Sequence, residues 1–458
     1  MESSEDIYQN RTNAIEPVYK TSQPNQPIQI YSGDLEINQE ENLYQGNGGI
    51  EFKWLPYPHI YFDFFTIDTP PYKIKTKEKI NLKFLENEVV AEGYISSMPS
   101  EPWGVISSDY KHKIAGTLES VVLGSCQNLS YIIFHLTNFF DFGESFISKP
   151  GHKWLGRLSL EADGWKINID SLENISSIIN TLESKGGYAI THVGKIERDD
   201  NKPFNLEDAK DTLEALRWFL TFARGFWITP IFLVGYDSEG NKILQGWGDN
   251  QIIAPWREVY SWFPNLKSYQ SFDQLFSGFL HRWKNPIWNE TIRLSIHWYL
   301  ESIALAGAVQ GSIVLMQTAF ELLAWTLLVE DKKIMSMDGC EKLPAADKLR
   351  LLLSQCGISL KIPESLTNLL KVAKEYNWVD GGQALTEIRN AIVHSNPKKR
   401  TRILNRPFSE QIDTYNLGLW YLELILLHLF DYKGKYFNRV ANKDFYNDNI
   451  ESVPWVKN

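Results

Sequence analysis

The sequence predicts an α+β protein of two domains: an antiparallel, β-rich sandwich or barrel-like domain with helical inserts, followed by an all-α helical bundle. Three observations carry the prediction. Apolar and polar residues alternate with period two in short runs between residue 50 and about residue 195. From Ser271 onward the apolar period becomes that of a helix. The length of 458 residues suits two or three domains of about 100–200 residues each.

Taken in order, residues 1–48 are polar and weakly periodic and read as a loose arm that adds at most an edge strand. Residues 49–265 form the β-rich domain. Its strands are expected at Ile50–Leu55, Ile80–Phe84, His112–Leu123, Ser130–Leu136, Gly156–Ala162, Lys166–Asp170 and Gly187–Val193, with a short helix over Ser171–Ser184. Asn205 caps a helix whose apolar positions are Ala209, Leu213, Leu216, Leu220 and Ala223, and which ends near Gly225. Pro230–Gly235 and Lys242–Trp247 flank the turn Asp237–Asn241 as a hairpin. Residues 271–440 form the bundle, with helices expected at Phe272–Trp283, Ile287–Ala306, Ala308–Val329, Ala345–Cys356, Pro363–Tyr376, Gln383–Ser395 and Ser409–Tyr432. Residues 441–458 are left as a tail.

The net charge of −10 and a pI near 5.5 exclude a generally basic nucleic-acid binder, so any such site is a local patch. The hydrophobic content of 43% excludes a chain that is disordered throughout. Three cysteines, Cys126, Cys340 and Cys356, make no disulfide framework and contain no CxxC pair, which points to a reducing compartment. The acidic N-terminus lacks the apolar core of a signal peptide. Polar residues interrupt the apolar stretches Ile303–Val329 and Leu417–Phe430, so both are expected to be buried helices, with no membrane partner. A cytoplasmic location is expected.

The chemistry-bearing segment is Glu387–Arg400. On a helix, Leu385, Ile388 and Ile392 share the core face, while Glu387, Asn390 and His394 lie opposite and Arg389 sits at the boundary. Arg389 and His394 are about 140° apart around the axis. Pro397 ends the helix near Ser395, which places His394 in the last turn. A histidine moves protons near neutral pH, and an arginine stabilises negative charge on phosphoryl oxygens. Lys398, Lys399, Arg400 and Arg402 follow, and no Asp or Glu occurs between Arg389 and Arg406, so the run is a local anion-binding strip. Gln317 and Glu321, four apart on an apolar helix, form a polar rail. It either positions Arg389 or His394 from behind or closes a self-contained hydrogen bond.

The segment Arg389-Asn390-Ala-Ile-Val-His394 in a C-terminal bundle resembles the HEPN superfamily, in its Apea-like form, over roughly residues 285–435. The β-rich half, through Leu158–Leu172 and the aromatic helix Leu213–Trp227, looks like the ApeA-type domains paired with such modules. The resemblance implies a metal-independent endoribonuclease of a defence or toxin system, with no cofactor. His394 would act as general acid or base, Arg389 would stabilise the phosphorane-like transition state, and Asn390 would orient His394 or bind phosphate. The implied partners are RNA, with tRNA among the candidates, a second copy of the chain, and a phage trigger or antitoxin. Two rivals stand beside this: a non-catalytic module that binds nucleotide, RNA or protein and dimerises, and a β domain whose carbohydrate or protein binding dominates.

Other candidates read as packing. His59, His135, His192 and His297 lie singly in apolar or aromatic runs. HExxH, P-loop and GxSxG patterns are absent, which leaves Ser125 and Ser145 without a nucleophile elbow. The aromatic cluster Trp218–Trp227 reads as helix core, with a stacking platform as the minority reading. The lysines of Lys73–Lys83 read as a solvated strand face.

Overall fold

The computed structural model describes residues 12–66, 74–86, 88–97, 112–248, 252–264, 272–305, 307–394, 397, 407–441, 443 and 445–456. The chain divides into two units, Met1–Leu213 with Ile228–Glu258, and Glu214–Trp227 with Val259–Asn458. The division passes through the helix Leu206–Arg224. Helical periodicity marks this helix as one element but does not tell which unit each half packs against.

The first unit is β-rich, as expected. It begins with β1 (Thr12–Asn13), β2 (Ile28–Gln39), β3 (Asn42–Lys53), β4 (His59–Thr66), β5 (Lys79–Phe84), β6 (Val89–Ser97) and β7 (His112–Leu118). Strands β2–β7 close a barrel in the order β2-β3-β4-β7-β6-β5. The strict alternation of β4, with Ile60, Phe62 and Phe64 buried, turns one face into the barrel core. The expectation of a loose arm over 1–48 is corrected, because residues 28–48 supply β2 and most of β3. Their pattern was obscured by an irregularity between Gln29 and Tyr31, and by Gly46 and Gly48 at inward positions of β3. A side chain at Gly48 would strike the Asp63 carbonyl of β4, so glycine permits this close approach. The edge strand anticipated for the arm does occur, as β1 pairs in parallel with the strand Ser145–Lys149.

The predicted strand His112–Leu123 is two strands. β7 stays in the barrel and β8 (Ser120–Gly124) enters a nine-stranded sheet. The rest of that sheet is β9 (Tyr131–Thr137), β10 (Ser145–Lys149), β11 (His152–Ala162), β12 (Trp165–Ser171), β13 (Ile190–Arg198), β14 (Ile231–Tyr236) and β15 (Lys242–Gly248). Its order is β1-β10-β11-β12-β13-β9-β14-β15-β8. Asp237 Oδ1 accepts from the Glu239 and Asn241 backbone N–H groups and shapes the predicted hairpin turn. His135 and His192 are buried in this sheet, while His59 is half-buried. The imidazole of His135 accepts from the backbone N–H groups of Val18 and Tyr19 at 3.1 and 3.2 Å, which pins the N-terminal segment.

The second unit is helical. Its longer helices are Phe272–Trp283, Asn289–Ile303, Ala308–Trp325, Ala345–Gln355, Thr367–Tyr376, Gly381–Val393 and Phe408–Leu429, each within a few residues of expectation. Ala308–Trp325 packs against four others: Asn289–Ile303, Ala345–Gln355, Gly381–Val393 and Phe408–Leu429. With the π-turn Thr326–Asp331 it is long and apolar enough to cross a membrane, at mean hydropathy 1.7, yet 61% of that window is buried inside the protein. A core helix has this property without any bilayer. His297, expected in packing, is instead exposed on the Asn289–Ile303 helix.

The residues left as a tail also pack. Ile450–Ser452 pairs with Lys435–Phe437, and Val453 is buried. Fully buried Glu423 accepts from both Arg439 and Tyr299, the latter at 2.8 Å, and Arg439 donates on to the Tyr260 carbonyl. This satisfied buried charge fastens the chain after the last long helix to the bundle.

Candidate functional site

The helix Gly381–Val393 positions the candidate residues. Asp380 caps it, with Oδ1 accepting from the Gln383 N–H at 2.8 Å. Arg350 grips the same carboxylate through Nε at 2.6 Å and Nη2 at 3.2 Å. The Gly381 N–H donates to the Leu360 carbonyl at 2.9 Å, and the Tyr421 hydroxyl occupies the space a Gly381 side chain would need. The start of the helix is thus set by a cap, an ion pair and a residue that must lack a Cβ.

The buried stripe contains Ala384, Leu385, Ile388 and Ala391. Leu385 and Ile388 lie where the periodicity puts them, whereas Ile392 is only half-buried because Ala391 takes the core position. The helix stops two residues earlier than expected. His394 is not in the last turn: it is the C-capping residue, with extended backbone at φ −86° and ψ 138°. Its N–H donates to the Asn390 carbonyl at 3.0 Å, and its side chain is exposed. Asn390 and His394 are therefore linked through the backbone rather than by a shared helical face.

Arg389 is mostly buried, its side chain 25% exposed. Nη1 donates to Asn390 Oδ1 at 3.2 Å. Nη2 stands 4.0 Å from Glu321 Oε1 on the neighbouring helix. Glu321 Oε1 also accepts from Gln317 Nε2 at 3.4 Å. Among the described residues, Arg389 Nε and Gln317 Oε1 are buried without a partner. The polar rail thus lies behind Arg389, and a line of contacts runs Gln317–Glu321–Arg389–Asn390. Glu387 is half-buried. Lys398, Lys399, Arg400 and Arg402 lie outside the described residues.

Chemically, the arrangement offers a guanidinium held at the boundary of the bundle and an accessible imidazole on the chain just beyond its helix. The first is suited to oxyanion contact and the second to proton transfer. Among the described residues, no group of three or more His, Cys, Asp or Glu is placed to hold a metal ion.

The aromatic cluster is core except for Trp227, which is half-buried with the Arg217 guanidinium 4.7 Å from its ring centre. Phe219, Phe222 and Phe226 are fully buried and Trp218 is 8% exposed, which leaves no stacking platform at Trp218. Trp218 Nε1 donates to Glu214, which also takes Arg217 and Arg293. Burial acts to raise the Glu214 pKa, but these donors outweigh it and hold the carboxyl below its ordinary value. Sequence reasoning did not single out Glu214, Arg350 or Asp380; each has a local partner, but the pairs Glu214–Arg293 and Arg350–Asp380 join residues 79 and 30 positions apart.

Residues 124–259 match the YopA central domain family, and residues 285–450 match the YopA C-terminal domain family. The second match takes in the whole Gln317–Glu321–Arg389–His394 site. The chain is 29% identical over 461 residues to the SPbeta prophage-derived uncharacterized protein YopA of Bacillus subtilis (strain 168), across 96% of this chain and 98% of the relative. No solved structure matches the chain.

Proposed function

We propose that the helical unit is a HEPN-type, metal-independent endoribonuclease acting in the cytoplasm within a phage-conflict system, with the β-rich unit sensing or restraining it. The carrying observation is the pairing of an exposed His394 with an Arg389 held on the same short segment by Asn390 and Glu321. In the reaction, the substrate's 2′-oxygen attacks the adjacent phosphorus and loses its proton to a base, while the 5′-oxygen leaves and takes up a proton. A 2′,3′-cyclic phosphate and a 5′-hydroxyl result. His394 performs one proton transfer, and a second copy of the chain brings its own His394 for the other. Arg389 stabilises the charge that builds on the phosphoryl oxygens. The prophage origin of the relative accords with a phage-conflict setting. The test is incubation of full-length protein with total RNA in the presence of a chelator. The proposal expects cyclic-phosphate ends from wild type and none from His394→Ala.

One observation favours the non-catalytic reading. Glu321 faces Arg389 and compensates part of the charge that a phosphate would need. Under that reading Arg389→Ala weakens RNA or nucleotide binding while no RNA is cut by either protein.

A further inference from the structure

The outer face of the barrel carries a concave groove of about 410 Å³, formed by β2, β3 and β4. This volume falls within the range of about 300–1,000 Å³ common to small-ligand sites. We infer that this groove binds a neutral, hydroxyl-rich ligand, a short saccharide.

The groove has a floor without side chains. Gly49, on β3, lies between Ser32 of β2 and Asp63 of β4. A Cβ on Gly49 would lie 3.2 Å from Asp63 Oδ1 and 3.5 Å from Gln29 Nε2, pointing into the groove. Its neighbour Gly48 faces inward, where β3 lies against the β4 backbone. Gly49 therefore empties the middle of a sheet face whose flanks, Ser32 and Asp63, carry side chains, and the inward Gly48 lets β3 lie close against β4 beneath it.

The walls supply mixed hydrogen-bonding groups. The lining includes the side chain of Gln29, whose NH2 donates to the Tyr31 and Ile50 carbonyls and leaves its oxygen as an acceptor, the amide of Asn47, and the carboxylates of Asp34, Glu51 and Asp63, with Tyr61 and Phe65 on β4. Asp63 is held in place: Oδ1 accepts from the Gly49 N–H at 2.9 Å, and Oδ2 stands 3.5 Å from Lys113 Nζ. Glu51 is 3.7 Å from Lys53 Nζ. Three carboxylates against two lysines leave a net charge of −3 + 2 = −1. Such a balance gives no attraction to a polyanion and little to a polycation. It does give paired donors and acceptors around an open floor, the set that vicinal hydroxyls satisfy. Lys53 Nζ lies 3.3 Å from the centre of the Tyr61 ring and Lys113 Nζ 5.4 Å from that of Phe65, so the β4 wall presents ammonium donors over its rings.

The test uses the full chain and saturation-transfer NMR followed by calorimetry. The probes are maltotetraose, cellotetraose, chitotetraose and mannotriose, with a dT oligonucleotide and spermine as charged controls. Gly49→Leu fills the groove from its floor, and Asp34→Ala removes an exposed carboxylate without touching the barrel core. The inference expects at least one neutral saccharide to bind wild type and to lose tenfold or more in affinity in each variant that still unfolds cooperatively. It is overturned if no saccharide in the panel binds, if only the charged probes bind, or if saccharide binding survives unchanged in Asp34→Ala and in a folded Gly49→Leu.

Discussion

Glu321 Oε1 stands 4.0 Å from Arg389 Nη2, so the single acidic residue of the apolar helix Ala308–Trp325 faces the guanidinium of the candidate site. The pair is partly exposed, at 25% for Arg389 and 39% for Glu321. Solvent screening keeps its contribution to stability small, but it governs how much positive charge the site presents.

Glu321→Gln is therefore expected to change unfolding free energy by no more than about 0.5 kcal/mol and to strengthen RNA binding roughly threefold to tenfold at low salt. Fluorescence anisotropy with a labelled single-stranded RNA reads the second quantity. Unchanged affinity would show that Arg389 does not meet phosphate.

Arg389→Lys is expected to behave like Arg389→Ala in RNA turnover, with a loss of about tenfold or more. A lysine has one terminal nitrogen and cannot reach Asn390 Oδ1 and Glu321 together as the guanidinium does. Rescue by lysine, measured as initial cleavage rate, would mean that charge alone matters at this position.

The Glu423–Arg439 pair sets a stability prediction. Glu423→Ala leaves the Arg439 guanidinium, which is nearly buried, without its carboxylate, at a cost of about 3–5 kcal/mol in urea unfolding. The double change Glu423→Leu with Arg439→Leu is expected to recover most of that loss. A single substitution costing under about 1 kcal/mol would contradict the buried assignment.

Histidine burial predicts acid sensitivity in the β-rich unit. Burial lowers His135 to about 4 and His192 to about 3, from an ordinary value of 6.5. Both are neutral in the folded state while the unfolded chain takes up protons first. Their contribution is thus complete above pH 6.5 and is lost as pH falls toward 4 and then 3. Thermal unfolding should show a falling Tm already between pH 6.5 and 5, above the carboxylate range. His135→Gln, which keeps an acceptor for Val18 and Tyr19, should flatten that slope; an unaltered slope would argue against it.

Much of this architecture is legible in the chain. Period two marked β5 and β12, and period 3.6 marked the helices around Arg389, because each buries one regular face; β4 alternates just as strictly but is not among the expected strands. The barrel strands over residues 28–48 were not legible, since a register irregularity and inward glycines erase the alternation that would reveal them. At the site, the polar rail Gln317–Glu321 stood out against an apolar helix. Its pairing with Arg389, a contact between helices 68 positions apart, depends on packing that local pattern does not encode. The release of His394 from the helix depends on where the backbone turns extended, which Pro397 bounds only to within a few residues.

The most direct test of the nuclease proposal is the 3′-end chemistry of RNA treated with full-length protein and with His394→Ala. The account predicts 2′,3′-cyclic phosphate ends from wild type in the presence of chelator, and intact RNA from the variant. Intact RNA with both proteins, or equal cutting by both, would contradict it.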